Sequence, residues 1–332
     1  MKIETFGKWN QQDIYRFWLE NDTLKVGILN FGGILQSFQV KTPTGPVDIV
    51  LGPKSVEDYI RSQTYTSAVI GRVANRIEKG TYVQNGVRYQ IPVNDRGHTC
   101  HGGINGFDKK VYAYTVEGET LTLSCISPDG EEGFPGNLSL QVTIRLEGNR
   151  LEIRFAAESD QDTAFAPTYH PYFRLEASDA PIYDTLLTIP ATGYLPLSEG
   201  GIPTGQVCPV EGTPFDFTKE KPIGCDIFSK DAQIALVNGY DHCFAVEGEW
   251  KASAFCKNTG IRLDVTSDMP GVQLYTTNEA NAHDSRFFEH GAFCLEPEFF
   301  PNALNEASFA QPILPANTRK EHHICYTIAL QE

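Results

Sequence analysis

Leu138, Leu140, Val142, Ile144 and Leu146 alternate with polar or small neighbours, and beyond Glu147-Gly148-Asn149-Arg150 the alternation resumes at Leu151, Ile153, Phe155 and Ala157. Period-two alternation puts the apolar side chains of an extended chain on one face, so this stretch predicts an antiparallel hairpin with one buried side. Asn85-Gly86, followed by Val87, Tyr89 and Ile91, predicts a second hairpin, because Asn-Gly suits a two-residue turn that needs positive φ. Leu24, Val26 and Ile28 alternate in the same way, as do Leu121, Leu123 and Cys125. Helical signal is thin. Ser55-Val56-Glu57-Asp58 resembles a capping box and predicts about two turns running towards Gln63. There is no βαβ alternation, internal repeat or low-complexity linker. The expected fold is all-β: one large antiparallel β-sandwich with few short helices, residues 1–332 forming a single domain.

Composition narrows the class. Of 332 residues, 41% are hydrophobic, enough to bury a sizeable core. Lys and Arg number 27 against 42 Asp and Glu, a net charge of −15 that repels a phosphate backbone, so no nucleic-acid partner is expected. Apolar runs stop at four residues, as in Val111–Tyr114 and Cys243–Val246, too short to span a bilayer. Met1-Lys2-Ile3-Glu4-Thr5 carries no hydrophobic signal core, and the eight cysteines form no C-x-x-C pair. Free, mostly buried thiols and a cytoplasmic location are expected.

The phosphate-binding G-x-x-x-x-G-K-[ST] and G-x-G-x-x-G patterns are absent, as are H-E-x-x-H and G-x-S-x-G. His98-Thr99-Cys100-His101 has metal-ligand residue types but no matching second cluster, so no metal site is expected.

Four polar clusters remain. In Gly71-Arg72-Val73-Ala74-Asn75-Arg76-Ile77, the fixed guanidinium donors of Arg76 and the donor and acceptor of Asn75 suit a hydroxyl-rich ligand; a structural Arg tying a loop to carbonyls fits equally well. In His101-Gly102-Gly103 the glycines permit close backbone approach, and the histidine either donates to a ligand or satisfies loop carbonyls. Pro167-Thr168-Tyr169-His170-Pro171-Tyr172-Phe173 offers a histidine able to act as a general acid near neutral pH, or one that is simply a satisfied core residue. In Phe293-Cys294-Leu295-Glu296-Pro297-Glu298, strand periodicity puts both glutamates on one face. Carboxylates in so apolar a stretch need partners or a function, unless Glu298 lies at a surface edge. Asp241, in Gly239-Tyr240-Asp241-His242, could clamp two adjacent hydroxyls or belong to a turn.

Taken together, these segments resemble the aldose 1-epimerase (galactose mutarotase) family. The matches follow the family's order: G-R-V-A-N-R-I at 71–77, H-G-G at 101–103, D-G-E-E-G-F-P-G-N-L at 129–138 and S-D-Q-D-T-A-F-A-P-T-Y-H-P-Y-F at 159–173. Next come G-T-P-F-D-F at 212–217, Y-D-H at 240–242, P-G-V-Q-L-Y-T at 270–276 and C-L-E-P-E-F-F-P-N-A at 294–303. The resemblance implies the family's galactose mutarotase-like β-supersandwich and interconversion of the α and β anomers of a free aldose such as galactose or glucose. Glu296 would remove the proton of the anomeric hydroxyl and His170 would protonate the ring oxygen. Asn75, Arg76, His101, Tyr172, Asp241 and Gln273 would hold the sugar. Opening a hemiacetal moves protons without redox change or group transfer, so no cofactor is expected. The implied partner is a small monosaccharide, the protein being a monomer or homodimer.

The chain departs from the common family pattern in T-Y-H-P-Y-F-R-L at 168–175, in Glu298 where Gln is common, and in Thr277 where Gly is frequent. Arg174 raises the alternative of a hexose-6-phosphate mutarotase, which would use basic residues for the phosphate. Two further alternatives are a glycoside hydrolase using Glu296 and Glu298 and a sugar-binding module without catalysis.

Overall fold

The computed structural model describes residues 1–62 and 64–331. The strand reading from the alternation holds in detail. Leu138–Glu147 pairs with Arg150–Ser159 in the register Leu138↔Ser159 to Glu147↔Arg150, and Leu138, Leu140, Val142, Ile144, Leu151, Ile153 and Phe155 are fully buried. Thr81–Gln84 pairs with Val87–Gln90 across Asn85 and Gly86, whose φ values of 52° and 77° are those of the turn that Asn-Gly favours.

Antiparallel strands build three main sheets. The largest runs, in spatial order, through Ala113–Glu117, Thr120–Ser127, Leu138–Glu147, Arg150–Ser159, Arg319–Leu330, Ile261–Ser267, Trp250–Cys256, Leu186–Thr188 and Lys221–Pro222. A five-stranded meander is formed by the chain's first strands, Lys2–Trp9 to Gly45–Asp48. A four-stranded sheet joins Gly193–Tyr194, Asp241–Ala245, Gly271–Tyr275 and Cys294–Glu298. One apolar core contains Phe17 and Val26 of the meander, Phe244 and Leu274 of the four-stranded sheet, and Ile153, Leu263 and Ile324 of the large sheet. Apolar burial between facing sheets is therefore what assembles the sandwich.

Helix α1 spans Val56–Ser62, with the Ser55 hydroxyl accepting from the Asp58 N–H at 3.2 Å as the capping pattern predicts; Gln63 lies outside the described residues. A second helix, α2 (Ala232–Val237), had no signal in the pattern. It is six residues long, buries only Ile234, and is fixed by the Asp231 cap rather than by an apolar stripe. All eight cysteines are free thiols, five of them buried. No described helix is long and apolar enough to cross a membrane.

Candidate active site

The four-stranded sheet supplies the floor of the site, and its register explains which residues meet there. Cys243, Gln273 and Glu296 lie directly opposite one another, as do Asp241, Tyr275 and Cys294, and Ala245, Gly271 and Glu298. Opposed residues share a face, and so do alternate residues along a strand. Asp241, Gln273 and Glu296 therefore share one face, Gln273 directly opposite Glu296 and diagonal to Asp241. The intervening Phe244, Val272, Leu274 and Leu295 point the other way, into the core, and are fully buried.

Short strands carry the walls. Val69–Ile70 pairs with Thr168–Tyr169, and the Thr168 hydroxyl donates to the Pro297 carbonyl at 2.6 Å, tying this strand to the floor. His170 follows at once, its own N–H donating to the Ala68 carbonyl and its carbonyl accepting from the Ser67 N–H. Arg76–Ile77 pairs with Thr99–Cys100, which sets Asn75 beside His101, and both take left-handed φ, 57° and 52°. The Asn75 N–H donates to His101 Nδ1 at 3.2 Å, while the His101 N–H donates to the Asn75 carbonyl at 3.0 Å. Gly102 is required by geometry: its φ is +87°, and a Cβ there would stand 2.0 Å from the Gly71 carbonyl oxygen.

All eight residues singled out from the sequence line one cavity of about 340 Å³: Asn75, Arg76, His101, His170, Tyr172, Asp241, Gln273 and Glu296. His170 Nε2 lies 3.4 Å from Glu296 Oε1. Arg76 donates through Nε to Asp95 at 2.9 Å and faces Asp241 at 3.6 Å, and Gln273 donates to Asp241 at 2.7 Å. Tyr172 stacks on His170 with centroids 5.1 Å apart and planes 19° apart. Burial lowers the His170 imidazole to about 4 and holds His101 well below the ordinary histidine range, the latter helped by nearby His170 and Arg76. Glu296 is pushed well above the usual carboxylate range by burial, then by the neighbouring Glu298 and Asp241 carboxylates. Burial also raises Asp241, against the opposing pull of Arg76.

Three ligand-type groups converge here. Their donor atoms, from His101, His170 and Glu296, lie within 4.8 Å of one another. Because the Asn75 N–H occupies His101 Nδ1, the neutral ring carries its proton on Nε2 and presents a hydrogen-bond donor rather than a lone pair to the cavity. The sequence cluster His98-Cys100-His101 does not assemble: His98 Nδ1 instead accepts from the Lys79 N–H at 3.0 Å.

Three other sequence readings change. The Arg that ties loops to carbonyls is Arg72, not Arg76: buried Arg72 donates to the carbonyls of Ser127, Pro128, Pro135 and Gly136 and to two hydroxyls. Arg174 does not reach the cavity; it is buried against the Gly291 and Arg286 carbonyls and Asp179, so it offers nothing to a phosphate. Glu298 is not at a surface edge. It is fully buried outside the cavity lining, accepting from Asn75 Nδ2 at 3.0 Å.

The sequence reading missed Tyr65, Asp95 and Tyr275, which also line the cavity. Tyr65 packs on His101 with centroids 4.5 Å apart and covers His170 at 6.3 Å. Its surroundings, Gln63-Thr64-Tyr65-Thr66, carry no periodic or motif signal, and Asp95 sits in an Asn-Asp-Arg-Gly turn signal.

A family profile described as Aldose 1-epimerase matches residues 15–327. Galactose mutarotase from Pongo abelii is 38% identical over 321 residues, covering 93% of this chain and 92% of that protein. Aldose 1-epimerase from Escherichia coli K12 is 33% identical over 304 residues, 88% of each chain. Among solved structures, galactose 1-epimerase from Lactobacillus acidophilus superposes with a TM-score of 0.90 at 28% identity, covering 100% of this chain and 99% of that one.

Proposed function

The chain belongs to the aldose 1-epimerase family and is an isomerase that interconverts the anomers of an aldose; from that premise we propose that His170 and Glu296 carry the proton transfers. Glu296 removes the proton of the anomeric hydroxyl while His170 delivers one to the ring oxygen, and the C1–O bond opens to a free aldehyde. C1 rotates, and closure with the roles reversed gives the other anomer. The observation that carries this reading is the 3.4 Å approach of His170 Nε2 to Glu296 Oε1 on the floor of a sugar-sized cavity.

The electrostatics suit such an exchange. The pair shares one exchangeable proton, and with His170 lowered and Glu296 raised that proton rests on the carboxyl. This is the protonation state the pair reaches when the ring is open. Binding of the cyclic sugar therefore draws the proton onto His170, through hydrogen bonds to the ring oxygen and anomeric hydroxyl. His101, fixed as an Nε2–H donor, and Arg76 stabilise charge developing at the ring oxygen. Asn75, Asp241, Gln273 and Tyr172 hold hydroxyls and the ring face.

The substrate is an unphosphorylated aldose, such as galactose or glucose. Four carboxyl side chains line the cavity, Asp95, Asp241, Glu279 and Glu296, against the guanidiniums of Arg76 and Arg96, a balance that disfavours an anion. Glycoside hydrolysis by Glu296 and Glu298 is disfavoured because Glu298 is fully buried and does not line the cavity. The free thiols fit a cytoplasmic location. Polarimetry on freshly dissolved α-D-galactose and α-D-glucose tests the reading: faster decay to the same final rotation, lost in Glu296→Gln, is expected. A Glu296→Gln protein as fast as wild type would remove the assignment of the base.

A further inference from the structure

Glu298 is a second carboxyl two residues along the same strand as Glu296, on the same face and roughly 7 Å away by strand geometry. It is fully buried and does not line the cavity; its Oε1 accepts from Asn75 Nδ2 at 3.0 Å, and the Cys243 thiol is a second donor to its carboxyl. Asn75 in turn accepts the Arg76 N–H on its Oδ1 at 2.9 Å and fixes His101 through its own N–H. A chain of contacts thus runs from Glu298 through Asn75 to the imidazole facing the sugar.

We propose that Glu298 is a positioning residue for the epimerase reaction, fixing Asn75 from outside the cavity lining and supplying the negative charge that strengthens Glu296 as a base. The inference rests on the reading of Glu296 as that base. Burial raises both carboxyls well above the ordinary range, but hydrogen bonds from the Asn75 amide and the Cys243 thiol favour the ionised form of Glu298, whereas Glu296 Oε1 faces the neutral imidazole of His170. The first negative charge of the pair therefore settles on Glu298, and Glu296 must ionise against it. The direction in which Glu296 is shifted agrees.

The other groups around the pair do not replace this effect. Asp241, two strands away in the same sheet, adds to it, and Arg76 opposes it. His101 and His170 are held neutral by burial. The nearby thiols Cys243 and Cys294 and the phenols Tyr172 and Tyr326 are all raised by burial and stay protonated.

The test is the pH dependence of kcat and KM for α-D-galactose in wild type, Glu298→Gln and Glu298→Met. Gln keeps an oxygen for Asn75 and removes the charge; Met removes both. In both variants the alkaline limb, where the proton pair loses its single proton from Glu296, is expected to move down by about one pH unit. KM is expected to stay within about two-fold of wild type in Glu298→Gln and to rise several-fold in Glu298→Met. An alkaline limb that stays in place in a folded variant overturns the charge effect, and equal KM increases in both overturn the role in holding Asn75. If Glu298→Gln does not fold, the limb is read in Glu298→Met. A wild-type protein without activity, or a fully active Glu296→Gln, instead overturns the underlying assignment of the base.

Discussion

His170, just beyond the Thr168–Tyr169 strand, and Glu296, within the four-stranded sheet, bring Nε2 and Oε1 to within 3.4 Å, each buried to 5% exposure or less. Removing water from both groups shifts them towards their neutral forms, the imidazole downward and the carboxyl upward. A contact that reads as an ion pair is thus, at neutral pH, a neutral pair sharing one movable proton.

A bell-shaped pH profile follows. Below about 4, His170 gains a proton while Glu296 keeps its own, and the doubly protonated pair has no base. On the alkaline side the single proton is lost from Glu296, at a pH well above the ordinary glutamate range. Activity is expected to persist to unusually low pH and to fall below about 4. Initial rates of mutarotation across pH, corrected for the buffer reaction, check it, and an acid limb near the ordinary histidine value would contradict the lowered imidazole.

His170→Asn and Glu296→Gln are each expected to lose roughly 10²- to 10⁴-fold in kcat while remaining folded. Because the two groups exchange one proton, the double variant should be little worse than either single one. Kinetics of all three, beside their circular dichroism spectra, decide this; additive losses would mean the residues act independently.

Gly102→Ala tests the backbone. The added methyl has no room against the Gly71 carbonyl, and the left-handed φ is unfavourable for alanine. The segment has to move, taking His101 with it. The expected result is a loss of at least about ten-fold in kcat/KM, because a small misplacement of a catalytic group is costly. A wild-type rate in this variant would show that His101 placement is not critical.

Arg72→Leu addresses the scaffold beneath the site. Arg72 is 2% exposed and satisfies four carbonyls, so its removal leaves several buried acceptors unpaired. A loss of roughly 3–5 kcal/mol is expected in denaturant unfolding. Arg72→Lys should recover only part of it, since a point ammonium cannot reproduce the planar fork. Unchanged stability in Arg72→Leu would mean that water replaces the guanidinium.

By itself the sequence determined the strand pattern, both hairpins and the cap of α1, and its resemblance to a known family, carried by motifs in order, pointed to eight of the residues that line the cavity. These are legible because period-two alternation, turn chemistry and motif spacing act over a few residues, where the chain's own stereochemistry sets the outcome. Only the tertiary structure decided which of two arginines four residues apart faces the cavity and which braces loops. The difference lies in where the Ser127–Gly136 loop carbonyls come to rest, a long-range fact that no local pattern carries. The same holds for Glu298. Alternation put it on the face of Glu296, but its burial outside the cavity lining and its hold on Asn75, 223 residues away, come from the packing of one sheet against another segment. Tyr65 and α2 were hidden for a related reason: each is held by a few specific contacts rather than by a repeating apolar face, and only repetition leaves a trace in sequence.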